Sequence, residues 1–400
     1  MKNDEFSSFS KKLLELFKEF KEIEIDNVEI NADELTLIVQ PIIQAIKPLE
    51  PIPVSSPLKI PEELTKAEFI PPIETYQGYV VEVKIGATRS EGGSRGKVIK
   101  IGGDKTLPFY SFEQINPNKP VFAMDVFDMP LGLPKPVRQH FQEVIEDPAE
   151  WARKCVEDYH ADMVSLNLIS TDPGIKDTPL KEACKTVEKV LQAVDVPIII
   201  GGSGNKQKDP LVLEAVAEVA HGERCILNSV SSDMDYKRVV KAAKEHGHIV
   251  ISFTPMDINN QKKLNKLLLD EGLPKDQIIM DPTTGALGYG IEYSLSLLER
   301  IRIGALLGDP ELQMPVLSAS SNAWGAREAW IKSEELGPRE YRGPLWETIT
   351  ALTMLFSGAH IFMISHPATI AVLKQIVKDL YGESEFESKQ KLVDWIIGVE

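Results

Sequence analysis

IIMDPTTGALGYGIEYSLSLLERIR, residues 278–302, decides how this chain is read. An apolar run short enough to be a buried strand breaks into a polar loop punctuated by Gly285, Gly288 and Gly290. An apolar repeat near 3.6 residues then begins a long amphipathic helix. The same unit of strand, polar loop and helix recurs along the C-terminal two-thirds of the sequence. Strand candidates are PVFAMDVFD from 120, MVSLNLIS from 163, VPIIIGGSG from 196, CILNSVSS from 225, HIVISFT from 248, QIIMDPTTG from 277, PVLSASSN from 315 and GAHIFMISHP from 358. Helix-length amphipathic segments begin near 136, 180, 209, 235, 258, 292 and 344. Near-continuous apolar strands imply burial on both faces, as in a parallel sheet ringed by helices. Eight such units in roughly 280 residues match an α/β fold of the (β/α)8 TIM barrel type. A doubly wound open sheet is the competitor, but it carries fewer strands and a phosphate fingerprint after the first.

Working outward, Val81, Val83 and Ile85 alternate, as do residues around Val98 and Ile99, with Gly92, Gly93 and Gly96 between them. This predicts a β-hairpin before the first barrel strand. Arg89 and Arg95 in its loop could hold a phosphate, but no helix follows, and a mobile connection is the favoured reading. Further upstream, Leu13, Leu16, Phe17, Phe20 and Ile23 share one helical stripe, and a proline-rich stretch follows. The expected organisation is an N-terminal helical extension over 1–47, a linker over 48–76, a barrel over 77–385 and a C-terminal helix over 386–400.

Of the 400 residues, 43% are hydrophobic and the net charge is −16, so a large core is affordable while clustered cations for a phosphate backbone are lacking. Nucleic acid is therefore excluded as an expected partner. The first residues, MKNDEFSSFSKK, lack the apolar core of a secretory signal, and no apolar run is long enough for a bilayer. The expected location is the cytoplasm. Cys155, Cys184 and Cys225 are scattered without zinc or iron–sulfur spacing, so neither a metal site nor a cluster is expected in this chain. His221, His246 and His248 flank strand starts, away from the face where a barrel carries its chemistry.

That face lies at the C-terminal strand ends, where small polar groups collect: Asp125, Asn167, Ser203, Asn228, Thr254, Asp281, Thr283, Thr284, Ser320 and Asn322, with Asp128, Ser170, Ser365 and His366 beside them. Few cations accompany them, which suits a large polar-edged ligand or a protein and disfavours a compact phosphate. Asp235 and Asp257 read as helix caps. DPTTGALGYG has neither the glycine order nor the position of a dinucleotide fingerprint, and GGSGNKQ lacks P-loop spacing. Trp324 reads either as packing between helices or as a cover for an aromatic or macrocyclic ligand.

DPTTGALGYG, GGSGNKQKDP from 201 and SASSNAWGAREAW from 318 together make residues 75–385 resemble the delta subunits of the archaeal acetyl-CoA decarbonylase/synthase complex. These are the counterparts of the small subunit of the corrinoid iron–sulfur protein. The resemblance implies a TIM barrel paired with a larger gamma subunit, which supplies the iron–sulfur cluster and the cobalamin. The pair then carries a methyl group between a tetrahydropterin and acetyl-CoA synthase, and the N-terminal segment is implied to help organise the complex. This chain would be noncatalytic, its strand-end residues covering the corrinoid at the gamma interface. DYHADM at 158–163 lacks the glycine of a corrinoid-binding motif, in keeping with that division of labour. The barrel also resembles methyltetrahydrofolate:corrinoid methyltransferases. That alternative would make the chain a methyltransferase in its own right, with Asp125, Asn167, Asp281 and Asn322 holding the pterin.

Overall fold

The structure is a computed structural model, and it describes residues 73–110 and 116–383. The expected N-terminal extension, nearly all of the linker, and the C-terminal helix over 386–400 lie outside the described residues.

Eight parallel strands form the barrel: β3 (Val121–Phe127), β4 (Met163–Asn167), β5 (Ile198–Gly201), β6 (Ile226–Val230), β7 (Ile249–Phe253), β8 (Ile278–Asp281), β9 (Leu317–Ser318) and β10 (Ile361–Ile364). Each pairs with its neighbour in the order β8-β7-β6-β5-β4-β3-β10-β9. The ring closes between the two ends through a parallel bridge of Met280 with Val316, with Met280 N–H donating to Pro315 O at 2.8 Å. The (β/α)8 barrel read from the repeat is therefore present.

The ring of helices comprises α1 (Lys135–Arg138), α2 (Pro148–Glu157), α3 (Leu180–Ala193), α4 (Asp209–Val219), α5 (Tyr236–His246), α6 (Ile258–Asp270), α7 (Ile291–Leu306), α8 (Arg339–Phe356) and α9 (Pro367–Leu380). Asp257 caps α6, accepting from the N–H groups of Asn259 and Asn260 at 2.8 and 3.0 Å, and Asp235 caps α5 through Arg238 N–H at 3.3 Å. The single helix expected from residue 136 is instead split into α1 and α2. Pro148 cannot donate a helical hydrogen bond, so it starts a new helix, and Asp147 caps it through Ala149 N–H at 2.9 Å.

Strand alternation sorts the barrel interior into layers. Ala123, Met163, Ile199, Ile249, Ile279, Leu317 and Ile361 point inward and form a fully buried apolar cluster. The same cluster contains Val83 and Ile85 of β1 (Val83–Ile85) and Ile99 and Ile101 of β2 (Ile99–Ile101), the antiparallel hairpin expected from the sequence. This hairpin plugs the N-terminal end of the barrel. Its glycine-rich connection is anchored: Arg95 is 3% exposed, donates to the carbonyls of Val194 and Leu191 at 2.7 and 2.8 Å, and pairs with Glu223 at 2.6 Å. Arg95 thus ties the hairpin to the end of α3 and is not offered to a phosphate.

At the same end, buried Asp104 pairs with Arg302 of α7 and with His360, whose Nε2 lies 2.8 Å from the carboxylate. His360 Nδ1 accepts from Val316 N–H at 3.0 Å, so one ring links the chain after the hairpin to the starts of β9 and β10.

Candidate functional site

Above the apolar layer, which on β7 and β10 extends to Ile251 and Met363, the inward positions change character. In strand order they are Asp125, Ser165 with Asn167, Gly201, Asn228, Phe253, Asp281, Ala319 and Ser365. The hairpin shuts the opposite end, so this polar layer is approached from the C-terminal face alone.

Cross-strand register holds the layer together. Asp125 pairs with Ser165, and Asn167, Gly201 and Asn228 form one row across β4, β5 and β6. A Cβ on Gly201 would sit 2.9 Å from Asn167 Oδ1 and 3.5 Å from Asn228 Nδ2, so the glycine leaves room for both side-chain amides beside that strand. Asn167 donates from Nδ2 to Ser165 O at 3.2 Å, leaving its side-chain oxygen toward the row. The Asn228–Ser229 peptide is cis.

Two carboxylates face the well. Burial pushes Asp125 up to about 6, against the stabilising donors Ser321, Ser365, Ser165 and Asn167. Its Oδ2 accepts from Ser365 Oγ at 3.0 Å. Burial also pushes Asp281 up to about 6, offset only by the Thr283 N–H at 2.9 Å. Neither carboxylate has a salt-bridge partner within 4 Å among the described residues. Behind Ser365 stands Glu347 of α8, pushed up to about 7 by burial, which accepts from the N–H groups of Ser365 and His366 at 2.7 and 3.0 Å. Glu347 thereby fixes the end of β10 and the hydroxyl that reaches Asp125.

Of the ten residues singled out from the sequence, Asp125, Asn167, Asn228 and Asp281 come together in this layer. The other six serve the loops around it. Ser203 donates from its N–H and Oγ to Asp209 at 2.9 and 3.0 Å, and Gly204 N–H adds a third bond at 2.8 Å. Asp209 thus fills the loop's anion nest from within the chain, at the first turn of α4. Thr254 Oγ1 bonds Gln261 of α6 at 2.8 Å, and Thr283 Oγ1 bonds Thr254 O at 2.8 Å. Thr284, Ser318 and Ser320 form a chain of hydroxyls with spacings of 2.9 and 2.8 Å, and exposed Asn322 donates to Thr284 O at 3.1 Å. Ser165 and Glu347 were missed. Ser165 stands two residues before Asn167, so alternation along β4 could have found it, whereas nothing local marks Glu347.

Trp324 packs on the protein itself. Its ring stacks on His366 at 6.0 Å and 22°, and it lies so close to α8 that a Cβ on Gly343 would meet it at 2.4 Å. No helix among the described residues is long and apolar enough to cross a membrane, and no group of three or more potential metal ligands occurs among them.

The family of CO dehydrogenase/acetyl-CoA synthase delta subunits matches residues 82–333. The Acetyl-CoA decarbonylase/synthase complex subunit delta of Methanocaldococcus jannaschii is 47% identical over 394 residues, covering 96% of each chain. The subunit of that name from Archaeoglobus fulgidus is 51% identical over 353 residues, covering 86% of this chain and 78% of its own. Among solved structures, a dihydropteroate synthase of Xanthomonas albilineans aligns with 68% of this chain and 96% of its own, at 16% identity and a TM-score of 0.48. Barrel, strand-end motifs and near-half identity to these relatives along most of its length agree: the chain belongs to the delta-subunit family of the CO dehydrogenase/acetyl-CoA synthase complex.

Proposed function

We propose that this subunit pairs with a corrinoid-carrying gamma subunit and lays the open end of its barrel over that partner's cofactor, while a methyl group is carried between a tetrahydropterin and acetyl-CoA synthase. The observation that supports this most directly is the polar layer. Two buried carboxylates without salt-bridge partners and a row of two asparagines face one opening, above a plugged apolar interior. A corrinoid bears amide arms around its rim, and Asn167, Asn228, Asp125 and Asp281 supply the acceptors and donors that such arms need. When bound, the corrinoid supplies a cobalt centre that accepts and releases the methyl group. This chain's part is to satisfy the rim's hydrogen bonds and to exclude water and oxidants from the space above.

The covering role is tested by comparing oxidation of the reduced cobalt in gamma alone with that in the gamma–delta pair. Pairing should slow it at least tenfold, and equal rates would sink the proposal. Asp281→Ala and Asn228→Ala should shorten corrinoid retention in the pair without changing the circular dichroism of the barrel. The competing reading, a pterin methyltransferase acting alone, draws on the same carboxylates. It would replace the covering role if the isolated chain consumed added cob(I)alamin in the presence of a methylated pterin.

A further inference from the structure

Three arginines are buried among the described residues, and two of them meet a carboxylate: Arg95 pairs with Glu223 at 2.6 Å, and Arg302 pairs with Asp104. Arg342, in the first turn of α8 and 7% exposed, has no carboxylate partner among those residues. Its Nη atoms donate to Glu328 O and Ile331 O at 2.5 and 2.8 Å, and its Nε is buried with no partner. Those carbonyl bonds fix the guanidinium plane but do not cancel its charge, and a buried charge left uncompensated is costly. Arg342 also lines a cleft of about 540 Å³ between the 332–337 loop and the start of α8, where Lys332 and Arg339 stand beside it.

Pro338, which precedes α8, offers no side-chain cap, so the first-turn N–H groups and the positive end of the helix lie beside the same cleft. Against the three cations the cleft holds Glu334 and Glu340, with Glu340 3.7 Å from Arg339 Nε, so positive charge is left over. We infer that this cleft binds a phosphomonoester, whose phosphoryl group supplies the counter-charge for Arg342 and takes further hydrogen bonds from Lys332, Arg339 and the start of α8. A carboxylate fits less well, because it gains most from the two-pronged fork of an arginine, and both Nη atoms of Arg342 are held by carbonyls. A phosphoryl group spreads its oxygens tetrahedrally and suits donors that converge from a loop, a helix terminus and separate cations. A lone phosphate ion would leave most of the cleft empty, so the ligand carries an organic group. The cleft shares none of its lining residues with the polar layer of the barrel, and the inference stands independently of the covering role.

The test titrates the full chain with phenyl phosphate, inorganic phosphate and benzoate at matched ionic strength, followed by calorimetry and by melting temperature. Phenyl phosphate should bind at least tenfold more tightly than benzoate, more tightly than inorganic phosphate, and should raise the melting temperature. Arg342→Gln should weaken phenyl phosphate at least tenfold, and so should Lys332→Gln combined with Arg339→Gln, whereas Glu334→Gln should tighten it. Lys332 is exposed and Arg339 half-buried, so the double variant keeps the test decisive even where Arg342→Gln melts early. Equal affinity for phenyl phosphate and benzoate would overturn the inference. So would a folded double variant that binds phenyl phosphate as the wild type does. Tighter binding of inorganic phosphate than of its phenyl ester would overturn the assignment of an organic ligand.

Discussion

Asp281 shows what a single carboxylate costs this barrel. Its folded value of about 6 lies above the ordinary 3.8, so the folded state holds the proton more tightly than the unfolded chain does. The associated stability is complete below about 4 and is lost as pH rises through 6. Asp281→Asn should therefore stabilise the protein at pH 8 by roughly 1–3 kcal/mol, with the gain vanishing near pH 4; a pH-independent change in melting temperature would contradict this. Retaining such a residue at a cost in stability accords with service to a ligand. Asp281, Asn228, Asn167 and Asp125 were legible in the sequence because each ends or nearly ends an apolar run and alternation turns it inward. Ser203 and Thr254 have the same sequence appearance, yet their hydroxyls go to Asp209 and Gln261. Those partners are six and seven residues further on, and composition does not reveal that pairing.

Among the elements, the loops that shape the opening are held by close packing. Gly202 faces the Asp209 carboxyl so tightly that a Cβ would sit 2.4 Å from its carbon, and Gly343 lies equally close beneath Trp324. Gly343→Ala should push the indole off α8 and away from His366, read as a red shift and quenching change in tryptophan fluorescence with about 1–3 kcal/mol lost; an unchanged spectrum would refute the packing. The hairpin plug is a second case. Ile85 and Ile101 are fully buried against the barrel's inner layer, and Ile101→Ala should cost about 2–5 kcal/mol in chemical denaturation. The sequence revealed the hairpin by its alternation but gave no sign of its destination, because plugging the barrel depends on contacts with strands far along the chain. The split between α1 and α2 was readable in principle from Asp147–Pro148, where the apolar repeat alone suggested continuity.

For the whole molecule, β3 pairs over five positions with β4 and over four with β10, whereas the seam of the ring is thin. β9 contributes two residues, and closure onto β8 rests on one bridge with the Thr284, Ser318 and Ser320 hydroxyls beside it. Amide exchange at Met280 and Leu317 should be faster than at Met124 or Leu166; protection equal across all eight strands would show that the seam is not the soft point. The Asp104–Arg302–His360 cluster braces the other end. Arg302→Met would leave a buried carboxylate without its guanidinium and should cost about 3–5 kcal/mol, visible as a lowered melting temperature.

The bond from His360 to Asp104 spans 256 residues, and β10 must lie against β3 before either can be shielded. During synthesis the early strands and the hairpin therefore emerge long before the segments that cover them. A nascent chain halted before residue 360 should present Val83, Ile85 and Phe122 to holding chaperones and to protease, and should become resistant only once its last strand has left the ribosome.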